Sequence, residues 1–185
     1  MTTEPKAILL TGAPGCGKTT LLKQVVARFP GQAAGFYTEE IRESDFRTGF
    51  KLVTLDGREG ILAHIDFKSP VRVGKYGLDL GVLEGPGVES LRTALRHQCL
   101  AVIDEIGPME LRSALFRQTV LQVLDEAPRV LGTIVQRESP FTETIKARSD
   151  VTVIEVSRAN RDALIDELLR RIQSPRSSDW PPALP

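Results

Sequence analysis

Residues 12 to 19 read Gly-Ala-Pro-Gly-Cys-Gly-Lys-Thr, which fits the pattern G-x-x-x-x-G-K-[ST] at every position. A loop of this composition can enclose a polyphosphate. Gly12, Gly15 and Gly17 let the backbone wrap closely and aim N–H groups at phosphate oxygens. Ala13, Pro14 and Cys16 fill the variable positions, which accept many residue types. A helix starting near Lys18 adds the positive end of its dipole. The Lys18 ammonium is expected at the β- and γ-phosphates, and the Thr19 hydroxyl on Mg²⁺. Thr20 is counted with them as a nucleotide contact.

A second group of acids lies downstream. Leu100-Ala101-Val102-Ile103 is an apolar strand that ends in Asp104-Glu105. Asp104 is expected to hold the Mg²⁺ ion, through water. Glu105, one residue further, can polarise a water for in-line attack on the γ-phosphate. Water as acceptor makes the outcome hydrolysis. A small nucleoside or nucleotide kinase is the alternative enzyme, with a lid drawn from the segment Arg42 to Lys75. A nucleotide-dependent switch protein is the non-enzymatic alternative.

The charge that develops on the γ-phosphoryl group calls for a cation. Arg42, Arg72, Lys75, Arg137, Arg148 and Arg161 are the candidates. Arg137 is preferred, because it follows the strand Val130 to Val135 and so falls at the carboxyl edge where open parallel sheets bind ligands. Asn160-Arg161 follows the last strand and can reach the base, although Asn160 serves equally well as a helix N-cap.

These groups need a scaffold, and the hydrophobic periodicity supplies one. Ala7 to Thr11 is a short apolar strand, and Lys18 to Phe29 an amphipathic helix closed by Pro30-Gly31. Phe36 to Arg42, Phe50 to Thr54 and Gly60 to His64 read as antiparallel strands, with a tight turn at Asp56-Gly57. Gly74 to Gly87 is glycine-rich and reads as loop. The βα rhythm then returns, with helices over 88–98, 113–126, 141–148 and 161–173 and strands over 100–103, 130–135 and 151–156. Apolar strands alternating with helices imply an α/β fold, a mostly parallel sheet covered on both faces. Residues 1–173 form one expected domain with an antiparallel insertion over about 35–87. The proline-rich stretch 174–185 reads as a disordered tail.

Composition excludes several classes. Of 185 residues, 24 are Lys or Arg and 24 Asp or Glu, so no global positive field points to nucleic acid. Two cysteines and two histidines without ligand spacing argue against a zinc cluster. No signal peptide is visible, and no apolar run approaches the roughly 20 residues that span a bilayer. A cytoplasmic protein that meets no membrane is expected.

The chain resembles the small P-loop nucleoside-triphosphatases of thermophiles, whose vertebrate counterpart is the cancer-related nucleoside-triphosphatase. The resemblance rests on Gly12 to Thr19, on Gly35-Phe36-Tyr37-Thr38-Glu39-Glu40 and on Gly49-Phe50. It continues through Arg72-Val73-Gly74-Lys75-Tyr76, Asp104-Glu105-Ile106-Gly107-Pro108-Met109-Glu110, Gly132-Thr133-Ile134 and Asn160-Arg161-Asp162. It implies a RecA-like three-layer sandwich, slow Mg²⁺-dependent hydrolysis and loose base selectivity. By motif it assigns Lys18, Thr19, Asp104 and Glu105 the roles argued above. A monomer acting on nucleoside triphosphates is the expectation; protein partners are not indicated.

Overall fold

The computed structural model describes residues 5–137 and 139–174. The tail from residue 175 onward lies outside the described residues.

β1 (Ala7–Thr11) runs through the phosphate loop into α1 (Lys18–Arg28). Five further strands follow: β2 (Ala33–Glu43), β3 (Phe46–Thr54), β4 (Glu59–His64), β5 (Arg72–Val73) and β6 (Tyr76–Leu78). The short turn α2 (Leu80–Val82) continues through a π-helical turn over Leu83–Gly87 into α3 (Val88–Arg96). β7 (Leu100–Ile106), α4 (Ala114–Glu126), β8 (Arg129–Ile134), α5 (Pro140–Lys146), β9 (Val151–Glu155) and α6 (Arg161–Gln173) come after it.

The strands form one sheet in the order β5-β6-β4-β3-β2-β7-β8-β1-β9. β2, β7, β8, β1 and β9 are parallel. Ranked by chain order and read across the sheet from β9 to β2, these five stand fifth, first, fourth, third, second, a RecA-like arrangement. β8 is thus interposed between the strand that launches the phosphate loop and the strand that carries the acids. The antiparallel insertion is not a separate layer. β2 leaves its parallel pairing with β7 at Phe36 and pairs onward with β3, so the inserted strands prolong the same sheet.

Strand alternation sorts the core into two layers. Ala7, Leu9, Ala101, Ile103 and Val130 pack with Val88 and Leu91 of α3 and Phe116 and Val120 of α4. Ile8, Leu10, Leu100, Val102 and Leu131 pack instead with Leu21, Leu22 and Val25 of α1 and Leu164 and Leu168 of α6. Each fully buried side chain of this kind contributes roughly 1.5–3 kcal/mol. That burial fixes α1 and α6 side by side beneath the phosphate loop.

Two expectations are corrected. The stretch Gly74 to Gly87 is not loop: Arg72–Leu78 forms a hairpin turning at Gly74 (φ 56°), and helical turns begin at Leu80. Strands of two or three residues show no periodicity, and Leu83 and Leu52 bury the following turns despite Pro86. The acid-bearing strand also runs three residues further than expected, to Ile106, because Ile106 still pairs with Ile134. Asp104 and Glu105 therefore stand inside a strand. The peptide joining them is cis, and the β7–β8 register shifts between Ile103 and Ile106. No helix among the described residues is long and apolar enough to cross a membrane.

Phe36 is fully buried on β2 and meets Phe116 edge-on, with ring centroids 6.1 Å apart. Phe36→Ala is expected to cost about 3–5 kcal/mol by combined transfer and cavity terms. Urea unfolding at constant m-value measures it; a loss below about 1 kcal/mol would mean that β2 and α4 repack freely.

Candidate nucleotide site

The phosphate loop depends on backbone that side chains resist. Gly12, Gly15 and Gly17 take φ values of 143°, 74° and 103°. At Gly12 a β-carbon would also stand 2.3 Å from the carbonyl oxygen of Val156, the residue just after β9. The loop ends at Gly17, the N-cap of α1, which offers no side chain. Ser113 and Ser139 cap α4 and α5, whereas α1 has neither a side-chain cap nor an acid in its first turn. Its leading N–H groups are left for an acceptor from outside the chain, in the field of the helix dipole. Ala13, Pro14, Gly15 and Thr20 are exposed, while Cys16 is buried. The Lys18 ammonium bends over the loop and donates to the carbonyls of Gly12 (2.9 Å) and Ala13 (3.3 Å).

Asp104 is the centre of the polar network. It is 2% exposed. The Thr19 hydroxyl donates to its Oδ2 at 2.7 Å, and the Thr133 hydroxyl to its Oδ1 at 2.5 Å. The Thr38 N–H approaches Oδ2 at 3.5 Å. Burial pushes the Asp104 carboxyl above its ordinary range; the donors Thr133, Thr19 and Thr38 and the Lys18 charge oppose that. A hydroxyl and a carboxylate in contact are hard oxygen donors of the kind Mg²⁺ takes. Mg²⁺ is usually held by one or two carboxylates with water and substrate phosphates, not by an all-protein cage. The Thr19 hydroxyl and the Asp104 carboxylate fit that pattern.

Glu105 is half-buried. Burial raises its carboxyl above the usual range, the Lys18 charge lowers it, and the Asp104 charge raises it again. Its position depends on a missing atom. A β-carbon on Gly107 would stand 2.5 Å from Glu105 Oε2, so the carboxylate folds into space that only glycine leaves. Nearby, Glu110 is 5% exposed. Burial drives its carboxyl up to about 8, with the Glu105 and Asp104 charges adding and the amides of Glu110 and Gly107 opposing.

The candidate cations separate clearly. Arg148 is at the opposite edge of the sheet, paired with Asp125 (2.8 Å) and Asp150 (2.9 Å), and the Asp150 carbonyl accepts from the first amide of β1. Arg72 donates to the carbonyls of Phe67 and Lys75, and Lys75 to that of Arg47. Both belong to the outermost hairpin, whose strands β6 and β5 stand six and seven strand spacings from β1, or roughly 30 Å. Arg42 is tied to Glu40 and Asp45 at the tip of the β2–β3 hairpin. Arg148, Arg72 and Lys75 thus lie away from the phosphate loop. Arg137 is exposed just beyond β8, at the same edge as the loop. Arg161 lies against Gly17.

Asn160 does not cap α6 with its side chain. Its Oδ1 accepts from the Ser157 N–H (2.8 Å), and its Nδ2 donates to the Glu155 carbonyl (2.9 Å), so it clamps the β9–α6 loop. Thr133, Thr38, Gly107 and Glu110 stand in the stretches that carry the family resemblance, but none of them was assigned a role from the sequence.

A strand–loop–helix whose helix starts without a side-chain cap, with an interposed strand and a buried aspartate bonded to the loop threonine, defines a P-loop nucleotide-binding protein. A family model described as NTPase matches residues 7–169. The nucleoside-triphosphatase THEP1 of Thermotoga petrophila is 52% identical over 162 residues, covering 88% of this chain and 90% of that protein. The human cancer-related nucleoside-triphosphatase is 40% identical, with 91% and 97% covered. The crystal structure of THEP1 from Aquifex aeolicus superposes with a TM-score of 0.84 at 36% identity, covering 91% of this chain and 99% of that one. The chain belongs to this NTPase family.

Two outcomes follow from the acid cluster. Gly107→Ala should shift the Glu105 carboxylate and lower the phosphate-release rate about 10- to 100-fold, with nucleotide affinity held within about twofold; an unchanged rate would show that Glu105 has other room. Glu110 has a folded-state pKa raised from 4.5 to about 8, so the folded chain keeps a proton there that the unfolded chain releases. Its contribution to stability therefore falls as pH rises through that window, and the full cost is reached above it. Glu110→Gln, which cannot ionise, should gain at least ~3 °C over the parent at pH 8.5 and much less at pH 5.5. Thermal unfolding in chelator reads the difference; an equal gap at both pH values would rule out ionisation as the cause.

Proposed function

We propose that the chain hydrolyses nucleoside triphosphates to diphosphate and phosphate with Mg²⁺, accepting more than one base. The observation that carries this reading is the pair Asp104 and Glu105: one acid bonded to the loop threonine, the next half-buried in the field of Lys18 and, among the described residues, with no cationic side chain hydrogen-bonded to it. Phosphates would lie on the amides of Gly12 to Thr20. Lys18, already positioned over the loop, would exchange its carbonyl partners for the β- and γ-phosphate oxygens. Thr19 and Asp104 would hold Mg²⁺, which supplies charge neutralisation of the phosphate oxygens when bound.

Glu105 accepts a proton from water as the water oxygen bonds to the γ-phosphorus. The bond between that phosphorus and the bridging oxygen breaks, and its electron pair leaves with the diphosphate. The raised carboxyl of Glu105 suits it to take the proton. Arg137, at the carboxyl edge beyond β8, is the cation proposed for the developing charge. Asn160 acts by holding the loop that flanks the nucleoside.

Purified protein with ATP or GTP and Mg²⁺ is expected to release phosphate with no added acceptor. Release that appears only with a nucleoside or monophosphate present would make the chain a kinase. Glu105→Gln should bind nucleotide with little change and lose at least ~100-fold in rate, the usual size of general-base catalysis; near-parent turnover would remove Glu105 from the mechanism. Lys18→Ala should lose nucleotide binding or turnover outright.

A further inference from the structure

The phosphate site has two flanks. The metal-holding pair Thr19 and Asp104 lies on the β7 side of α1, which marks the γ-phosphate end. A triphosphate that follows the loop past Thr20 therefore delivers its nucleoside to the other flank, where α1 packs along α6. The residue that occupies this flank is Arg161, the first of α6.

Arg161 is held unlike the other surface arginines. Its Nη1 and Cδ lie 2.9 and 3.0 Å from where a β-carbon of Gly17 would stand, so the side chain lies on bare backbone at the N-terminus of α1. The Asp162 carboxylate accepts from its Nε at 3.1 Å, which restrains the guanidinium from one edge. Its own amide donates to the Ser157 carbonyl (3.1 Å), in the loop that Asn160 clamps from both sides. The side chain remains 38% exposed. Loop and phosphate loop together border a neighbouring cavity of about 420 Å³, lined among others by Pro14, Cys16, Glu155, Ser157 and Arg158, with Arg161 outside its lining. Backbone, loop and acid thus fix a planar cation, still partly open to solvent, at the helix start that closes the phosphate loop.

We propose that Arg161, seated on Gly17, is the platform on which the nucleobase of the substrate stacks. A guanidinium is flat, delocalised and weakly hydrated, and it stacks on aromatic faces, which an ammonium cannot do. Every base presents a π-face, so stacking recognises that a base is present without reading which one. The proposal rests on nucleoside triphosphates being the substrates, and it supplies a physical reason for acceptance of several bases. Edge-reading would instead need donors and acceptors aimed at one base.

The test compares substrates that have a base with one that has none. KM and kcat are measured for ATP, GTP, CTP and inorganic triphosphate with the parent, Arg161→Ala and Arg161→Lys. Arg161→Ala is expected to raise KM for all three nucleotides by about 10- to 100-fold, the range of one lost base stack, and to leave the inorganic triphosphate constants within about twofold. Arg161→Lys keeps the charge without the plane and should remain defective toward nucleotides. A rise in KM for inorganic triphosphate as large as that for ATP, or full recovery by lysine, would make Arg161 a phosphate counter-charge and overturn the proposal. Calorimetric titration of the same variants with ADP and pyrophosphate repeats the comparison without turnover. Absence of phosphate release from the parent would sink the hydrolase reading, while selective loss of ADP binding would still uphold the platform.

Discussion

One buried carboxylate holds the functional end of this molecule together. Asp104 joins α1 through Thr19, β8 through Thr133 and β2 through the Thr38 amide, and it lies on β7 itself. Desolvating a carboxylate costs several kcal/mol unless its lone pairs are satisfied. Two hydroxyl donors and a backbone amide offset that cost here, and they come from three different elements. The phosphate loop can therefore neither tilt on α1 nor slide relative to the acid-bearing strand without breaking a bond to a buried charge. The strand order makes this possible, since interposing β8 between β1 and β7 brings Thr133 beneath the carboxylate.

Missing side-chain atoms do as much positioning as the polar contacts. Gly17 makes room for Arg161, and Gly107 for the Glu105 carboxylate. In both cases a functional group is set by the absence of a β-carbon on its neighbour, at the end of a flexible side chain. Such seats tolerate substitution in folding terms and fail in geometric ones. The acid cluster adds an electrostatic counterpart. Glu110 is buried near Asp104 and Glu105, and its raised carboxyl marks how poorly that interior accepts another negative charge.

The antiparallel strands serve a different end of the sheet. Their charges are paired across neighbouring strands, as Lys51 with Glu39 and Glu59, or with α1, as Glu39 with Lys23. These are solvent-facing pairs worth little individually. Their distance from β1 removes Arg72 and Lys75 from the phosphate site, although both stand beside glycines in the sequence.

Local chemistry is legible in one dimension. The loop from Gly12 to Thr19 demands glycines and a lysine in a fixed order, and the amphipathic helix over Arg161 to Gln173 was read to the residue, because both depend on neighbours within a few positions. The parallel core was legible for the same reason, through apolar runs bounded by helices. What the chain alone could not settle was which distant residues meet. Thr133 looks like one polar residue in a strand until β8 is set between β1 and β7. Arg148 looks as eligible as Arg161 until the sheet sends one to the far edge and the other to the loop. Glu110 and Gly107 acquire meaning only from the turn that follows Ile106. Spacing along the chain carries periodicity and motif; contacts separated by dozens of residues are set by strand order and packing, which no short window contains.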